Sequence, residues 1–213
     1  MTVQSSSKTG LLSQAQLSQG HKPGEVAVLL LIDLQKAADL IQADSVDAKP
    51  SWGGRNNTAA ETNTALLLEH WRERGWPVWH VRHDSSEPAS HYRPGQYGNE
   101  FKPEVMPNAG EPVIRKTTNS AFIGTDLHER LTECGYRSLV IVGVATNNSV
   151  EATVRMAGNL GYDTFLVSDA TFTWGRIDWN GAVRTADDVH AMSLANMDGE
   201  YCTVVTTAEM LSA

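Results

Sequence analysis

The stretch Val26-Ala27-Val28-Leu29-Leu30-Leu31-Ile32, followed at once by Asp33, decides how the chain is read. Seven apolar residues without alternation, β-branched at both ends and too few for a membrane span, predict a strand buried on both faces. Such strands belong to parallel sheets, which need helical crossovers between them. Working outward, the same signal returns at Val78 to Val81, Val113-Ile114, Leu139 to Val142, Thr164 to Val167 and Cys202 to Val205. Helical patterns separate them. One is expected from Thr58, where Thr58-Ala-Ala-Glu61 has capping-box spacing, with Ala65, Leu68 and Trp71 on its apolar face and Gly75 as its stop. Others are expected from about Asp126 to Cys134, after Ser149 with Val150, Val154, Ala157 and Gly161 on one stripe, and around Asp187 to Asn196. Strands alternating with helices predict one α/β domain, a three-layer α/β/α sandwich around a mostly parallel sheet.

Composition agrees. The chain has 213 residues, 41% hydrophobic and 20% charged, enough for one core without staples. A net charge of −8 argues against nucleic-acid and anionic-membrane partners, which require basic patches. Two cysteines, Cys134 and Cys202, form no CxxC pair and read as free thiols. No run of eighteen apolar residues and no signal-peptide core occurs, so a cytoplasmic location is expected. Residues 1–22, rich in Ser and Gln near the start, are expected to form a flexible N-terminal arm. The folded domain is expected over 23–213.

In open parallel sheets, ligands bind beyond the carboxyl ends of the strands. The residues there are Asp33, then Arg82, His83 and Asp84, then Lys116, the turn Ala145 to Ser149, and Asp169. An acid, an ammonium and a hydroxyl at a helix start can converge on one site. Each also has a plain structural use: a loop aspartate, a solvated lysine, an N-cap serine.

Three blocks carry a resemblance: LLLIDLQ at 29–35, VIRKTTNSAFIGTDL at 113–127 and VIVGVATNNSVEATVRMAGNLGYDTFLVSDA at 140–170. In order and spacing they resemble the signature blocks of the isochorismatase-like, or cysteine hydrolase, superfamily. The resemblance implies a parallel sheet flanked by helices and cofactor-independent hydrolysis of a small amide, ureide or carbamoyl compound. It also implies an Asp–Lys–Cys set falling on Asp33, Lys116 and Ser149. Asp33 would shuttle the proton, Lys116 would favour the charged state, and backbone N–H groups of Ala145 and Ser149 would hold the oxyanion. A cis peptide is implied at Val144–Ala145. Gln35, Asn119, Phe122 and Trp174 adjoin these segments and are candidates for binding substrate; core packing is the alternative for Phe122 and Trp174. The resemblance carries no metal-binding set onto this chain, and no phosphate loop follows the first strand, so neither metal nor cofactor is expected. Family members are commonly dimers or tetramers, so a homo-oligomer is expected, with the segments around Trp52 and Trp174 as contact or lid.

Serine stands at 149 where the family has its nucleophilic cysteine. A hydroxyl is far less acidic than a thiol, whose reference pKa is about 8.5, and a carboxylate near 3.9 is a weak base for it. Three readings stay open: an inactivated cysteine enzyme, a member that uses Ser149 as nucleophile or water-positioner, and vinyl-ether hydrolysis that needs no nucleophile. A catalytically silent binding protein is the rival from outside enzymes. Substrate choice is expected to lie in the loops 39–57, 85–108 and 172–188.

Overall fold

The computed structural model describes residues 26–41 and 53–212. The expected N-terminal arm and Trp52 lie outside the described residues. Six strands form one sheet: β1 (Val28–Ile32), β2 (Val78–His83), β3 (Val113–Lys116), β4 (Ser138–Val144), β5 (Asp163–Phe172) and, last in the chain, β8 (Thr203–Val205). All neighbours pair in parallel, in the order β3-β2-β1-β4-β5-β8. A separate antiparallel hairpin pairs β6 (Arg176–Ile177) with β7 (Val183–Arg184).

The unbroken apolar run of β1 is explained by where its side chains go. Leu29 and Leu31 pack on one face with Leu67, Leu68 and Trp71 of helix α2 (Ala60–Glu73), and with Met210 of α6 (Thr207–Ser212). Val28, Leu30 and Ile32 pack on the other face. There they meet Leu131 of α3 (Leu127–Glu133), Val154 of α4 (Glu151–Asn159) and Met197 of α5 (Ala186–Met197). A short α1 (Ala37–Leu40) follows β1. The result is the three-layer α/β/α sandwich with a parallel sheet.

Several local expectations are corrected. Helix α2 starts at Ala60, not Thr58, and its N-cap makes no side-chain hydrogen bond. Glu61 is spent elsewhere: its two carboxylate oxygens lie 2.8 Å from Arg55 nitrogens, and Lys102 Nζ lies 2.7 Å from Oε1. Two strong cations outbid one backbone N–H, and they hold the Glu61 pKa at about 2 against the upward push of burial. The capping box is instead at α5, where Thr185 and Asp188 bond reciprocally. Strand β5 does not stop at Val167; its register slips between Ile141 and Gly143 of β4 and it runs on to Phe172. Asp169 thus lies within the strand and not at its end. Its Oδ1 accepts from both the backbone N–H and the hydroxyl of Thr207, at 2.8 Å each, and so holds the start of α6.

Chain direction in the sheet positions the site. From β1 the chain steps outward through β2 to β3, then returns to lay β4 against β1's other side. The crevice between β1 and β4 is therefore the point where strand order reverses. Gly143 lets the two strand ends approach. It has φ +126°, and a Cβ there would run into the carbonyl oxygen of Ile32.

Candidate active site

Asp33, Lys116 and Ser149 meet at this crevice. Asp33 follows β1 in a left-handed conformation, φ 52°, which aspartate tolerates better than most residues. Lys116 ends β3 and reaches past β2, its side chain wholly buried. Its Nζ donates to Asp33 Oδ2 at 2.6 Å, to the Thr118 carbonyl at 3.0 Å and to Ser149 Oγ at 3.3 Å. Three acceptors match the three N–H bonds of an ammonium. Asp33 Oδ1 is buried and makes no hydrogen bond among the described residues. A carboxylate oxygen in that state is costly, and it is the site's remaining acceptor.

Ser149 lies in the turn that joins β4 to α4. The Val144–Ala145 peptide is cis. Residues Thr146–Val150 then make one wide π turn in which the Ala145 carbonyl accepts from Asn148 N (2.9 Å) and Val150 N (3.2 Å). Such turns recur at functional sites because they displace one side chain from the helical rows. Beneath it, His190 Nδ1 sits 2.9 Å from Thr146 Oγ1, and Ser193 Oγ donates to Glu151 Oε2 at 2.6 Å. Burial lowers the His190 pKa and favours the neutral ring. Nothing in the sequence around His190, forty-one residues beyond Ser149, marked it as a support of this turn.

The other candidates divide. Gln35 is fully buried, and its amide is committed: Nε2 donates to the His83 and Asn99 carbonyls at 3.0 Å, and Oε1 accepts from His83 N at 2.8 Å. It clamps the end of β2. Phe122 stacks on Tyr162, ring centres 5.7 Å apart, in the core on the α3–α4 face. Trp174 is 5% exposed and packs edge-to-face on Phe172. Asn119 is exposed. Asp84 anchors the loop after β2. Burial raises its pKa, but Asn99, Arg115 and Arg82 outweigh that and hold the carboxylate below its usual range. Asn99, which also ties His83 and Tyr92 through its amide, was not singled out by the sequence.

The described residues contain no helix long and apolar enough to cross a membrane and no group of three or more His, Cys, Asp or Glu placed to hold a metal ion.

Comparison with known proteins places this arrangement. The Isochorismatase domain matches residues 27–209. An uncharacterized isochorismatase family protein, YrdC of Bacillus subtilis (strain 168), is 42% identical over 188 residues, covering 88% of this chain and 96% of that protein. A crystal structure assigned to the isochorismatase family of hydrolases, from Chromobacterium violaceum ATCC 12472, superposes with a TM-score of 0.82 at 54% identity, covering 92% of this chain and 95% of the other. The ureidoacrylate amidohydrolase RutB of Variovorax paradoxus (strain S110) is 28% identical over 175 residues, 70% of this chain and 69% of that enzyme. With its parallel sheet, its crevice at the strand reversal and a domain match over nearly its whole length, the chain belongs to the isochorismatase family of hydrolases.

Proposed function

We propose that this hydrolase cleaves the C–N bond of a small amide, ureide or carbamoyl compound without a cofactor, through Asp33, Lys116 and Ser149. One observation carries the reading. A single buried ammonium spans Asp33 Oδ2 and Ser149 Oγ, while Asp33 Oδ1 is left without a hydrogen bond among the described residues. In the proposed cycle, Asp33 takes the proton from the attacking hydroxyl, and Ser149 Oγ bonds to the carbonyl carbon. The oxyanion is held by the N–H groups of Ala145 and Ser149. Asp33 returns the proton to the departing amine, and water then releases the acyl group by the reverse sequence. Lys116 orients the carboxylate through its 2.6 Å bond to Asp33 Oδ2. The RutB relative, named for a ureide, supports the substrate class.

A second reading has its own support. The hydroxyl of Ser149 and the carboxylate of Asp33 share Lys116 but make no hydrogen bond to each other among the described residues. That spacing also suits an acid at position 33 acting directly on a bound vinyl ether. A panel of simple amides, ureides and isochorismate, assayed for ammonia and for pyruvate, separates the two. Ammonia from an amide or ureide supports the first, and pyruvate from isochorismate supports the second. Saturable ligand binding with neither product would mean a silent binding protein.

A further inference from the structure

Helix α4 buries Thr153 beside Val154 and Ala157, and this polar side chain has no part in the cycle proposed above. Its hydroxyl donates to the Ser149 carbonyl at 2.7 Å and accepts from the backbone N–H of Ala121 at 3.1 Å. A hydroxyl has one proton to give and lone pairs to receive with, so both bonds form at once. The first alone would be the back-bond to the preceding turn that threonine often makes in helices. The second is not local. Ala121 is thirty-two residues away in sequence, in the loop between β3 and α3.

That loop also seats Lys116, whose Nζ donates to the carbonyl of Thr118, three residues before Ala121. The loop is tied down around Ala121. Its carbonyl accepts from Thr125 Oγ1 at 2.5 Å, and the neighbouring Phe122 ring stacks on Tyr162. Apart from the bond between Lys116 and Ser149, no other hydrogen bond among the described residues joins residues 116–126 to residues 145–153. The spacing it guards is a sensitive one. Lys116 Nζ stands 3.3 Å from Ser149 Oγ, just past the roughly 2.7–3.2 Å usual for an N–H···O bond. A small shift of helix against loop therefore decides whether that bond is made.

We infer that Thr153 is a positioning residue: by bonding loop and helix at once, its hydroxyl fixes how far the group at position 149 stands from the Lys116 ammonium. It acts through those two residues and touches no substrate. This role presupposes the Ser149 nucleophile proposed above. Ala121 and Thr153 are both fully buried, so loss of the hydroxyl leaves the Ala121 N–H unsatisfied and drives the loop to move. Valine has the shape of threonine without the hydroxyl, and serine keeps the hydroxyl without the methyl group. The two substitutions therefore separate the strut from the packing.

The test reads the ammonium through a thiol. In the full chain carrying Ser149→Cys, the new thiol is alkylated with iodoacetamide across a pH series. The adduct is quantified on the peptide that contains position 149, apart from Cys134 and Cys202. A neighbouring ammonium favours the thiolate. Adding Thr153→Val is expected to raise the midpoint of the alkylation profile by about one pH unit, because an opposite charge has moved away. Thr153→Ser is expected to leave the midpoint in place. On an amide that the native chain hydrolyses, Thr153→Val should lower kcat about tenfold with KM unchanged, since misplacing a reacting group costs rate and not binding. Thr153→Ser should keep kcat near its native value. A residue that only fills the core would lower Tm and move neither readout. An unmoved midpoint in Thr153→Val overturns the inference, as does an equal shift in Thr153→Ser, which would assign the effect to the methyl group. A moved midpoint in a chain that hydrolyses no amide would uphold the strut and overturn the proposed reaction. If circular dichroism shows Thr153→Val unfolded, Thr153→Ala takes its place with the same expected shift and the same overturning result.

Discussion

Lys116 and Asp33, eighty-three residues apart, meet as a buried ion pair with Nζ 2.6 Å from Oδ2, and the same ammonium bonds Ser149 Oγ at 3.3 Å. Both charged groups have left water, so each depends on the other. The sheet makes this possible because β3 and β1 run in the same direction with β2 between them, leaving both strand ends on one edge.

Removing one member should therefore cost more than removing both. Lys116→Met leaves a buried carboxylate unpaired and is expected to lose about 3–5 kcal/mol of stability. Asp33→Asn keeps the left-handed backbone accessible but leaves the ammonium unpaired. The double variant Asp33→Asn/Lys116→Met, which buries no charge, should be less destabilised than the sum of the two. Urea denaturation of the four proteins measures the coupling. Additive losses would mean that the pair is already solvated.

Gly143 sets the closeness of β4 to β1, and Gly143→Ala combines two penalties: a positive φ and a Cβ driven into the Ile32 carbonyl. Gly161 is the control, with φ +83° but nothing within 4 Å of a Cβ. Gly161→Ala should cost about 1–3 kcal/mol from backbone strain alone. Gly143→Ala should cost more than that and lower turnover, because it moves the turn that bears Ser149. Equal losses at the two glycines would place no weight on the strand contact.

How much of this was legible depends on the kind of signal. The apolar run into Asp33 gave away a doubly buried strand, since a parallel strand packs helices on both faces and needs no polar alternation. Strand ends offered Asp33, Lys116 and the Ala145–Ser149 turn among other polar residues, the family resemblance singled out Asp33, Lys116 and Ser149, and these three do meet. What the sequence hid was long-range pairing. Glu61 looked like a capping residue because Arg55 and Lys102, which claim it, are unrelated to it by any local period. Gln35 stood beside Asp33 and so looked like a pocket residue, yet its amide is taken by His83 at the end of β2 and by Asn99 in the loop beyond it.

Acid should weaken the protein in two stages. Burial lowers the pKa of His80 and His190, so the folded state holds fewer protons there than the unfolded chain. Their contribution is fully present above the unfolded value of about 6.5 and falls as pH drops below it. Glu61 and Glu111 are both lowered from 4.5 to about 2, Glu111 by Arg72, Asn108 and His80 acting against burial. Their contribution is present above 4.5 and is lost as pH falls toward 2. Calorimetric Tm should therefore decline from pH 7 to pH 5 and more steeply below 4.5. His190→Gln should lower Tm at pH 8 but flatten the first decline. An unchanged slope in that variant would remove His190 as a cause.

Ser149 itself yields the sharpest test of the proposed chemistry. If the site is built for a nucleophile, Ser149→Cys should raise amide or ureide hydrolysis strongly. A thiol at the head of α4 beside the Lys116 ammonium is in surroundings that favour the thiolate, and thiolate is the better nucleophile. Sulfur is only slightly larger than oxygen, so little else should move. Asp33→Asn added to Ser149→Cys should abolish the gain, since the proton shuttle is lost while the shape is kept. Ser149→Ala in the native background discriminates further. A serine that attacks or orients water cannot be replaced, so turnover should fall by about 10²-fold or more, in line with loss of one acid–base or nucleophilic element. Direct protonation of a vinyl ether by residue 33 would survive Ser149→Ala and still fail in Asp33→Asn. Ammonia and pyruvate release, measured across these variants on the same substrates, therefore assigns the reaction by which substitutions it tolerates. Full activity in Asp33→Asn would eliminate both enzymatic readings, because each routes its proton through that carboxylate.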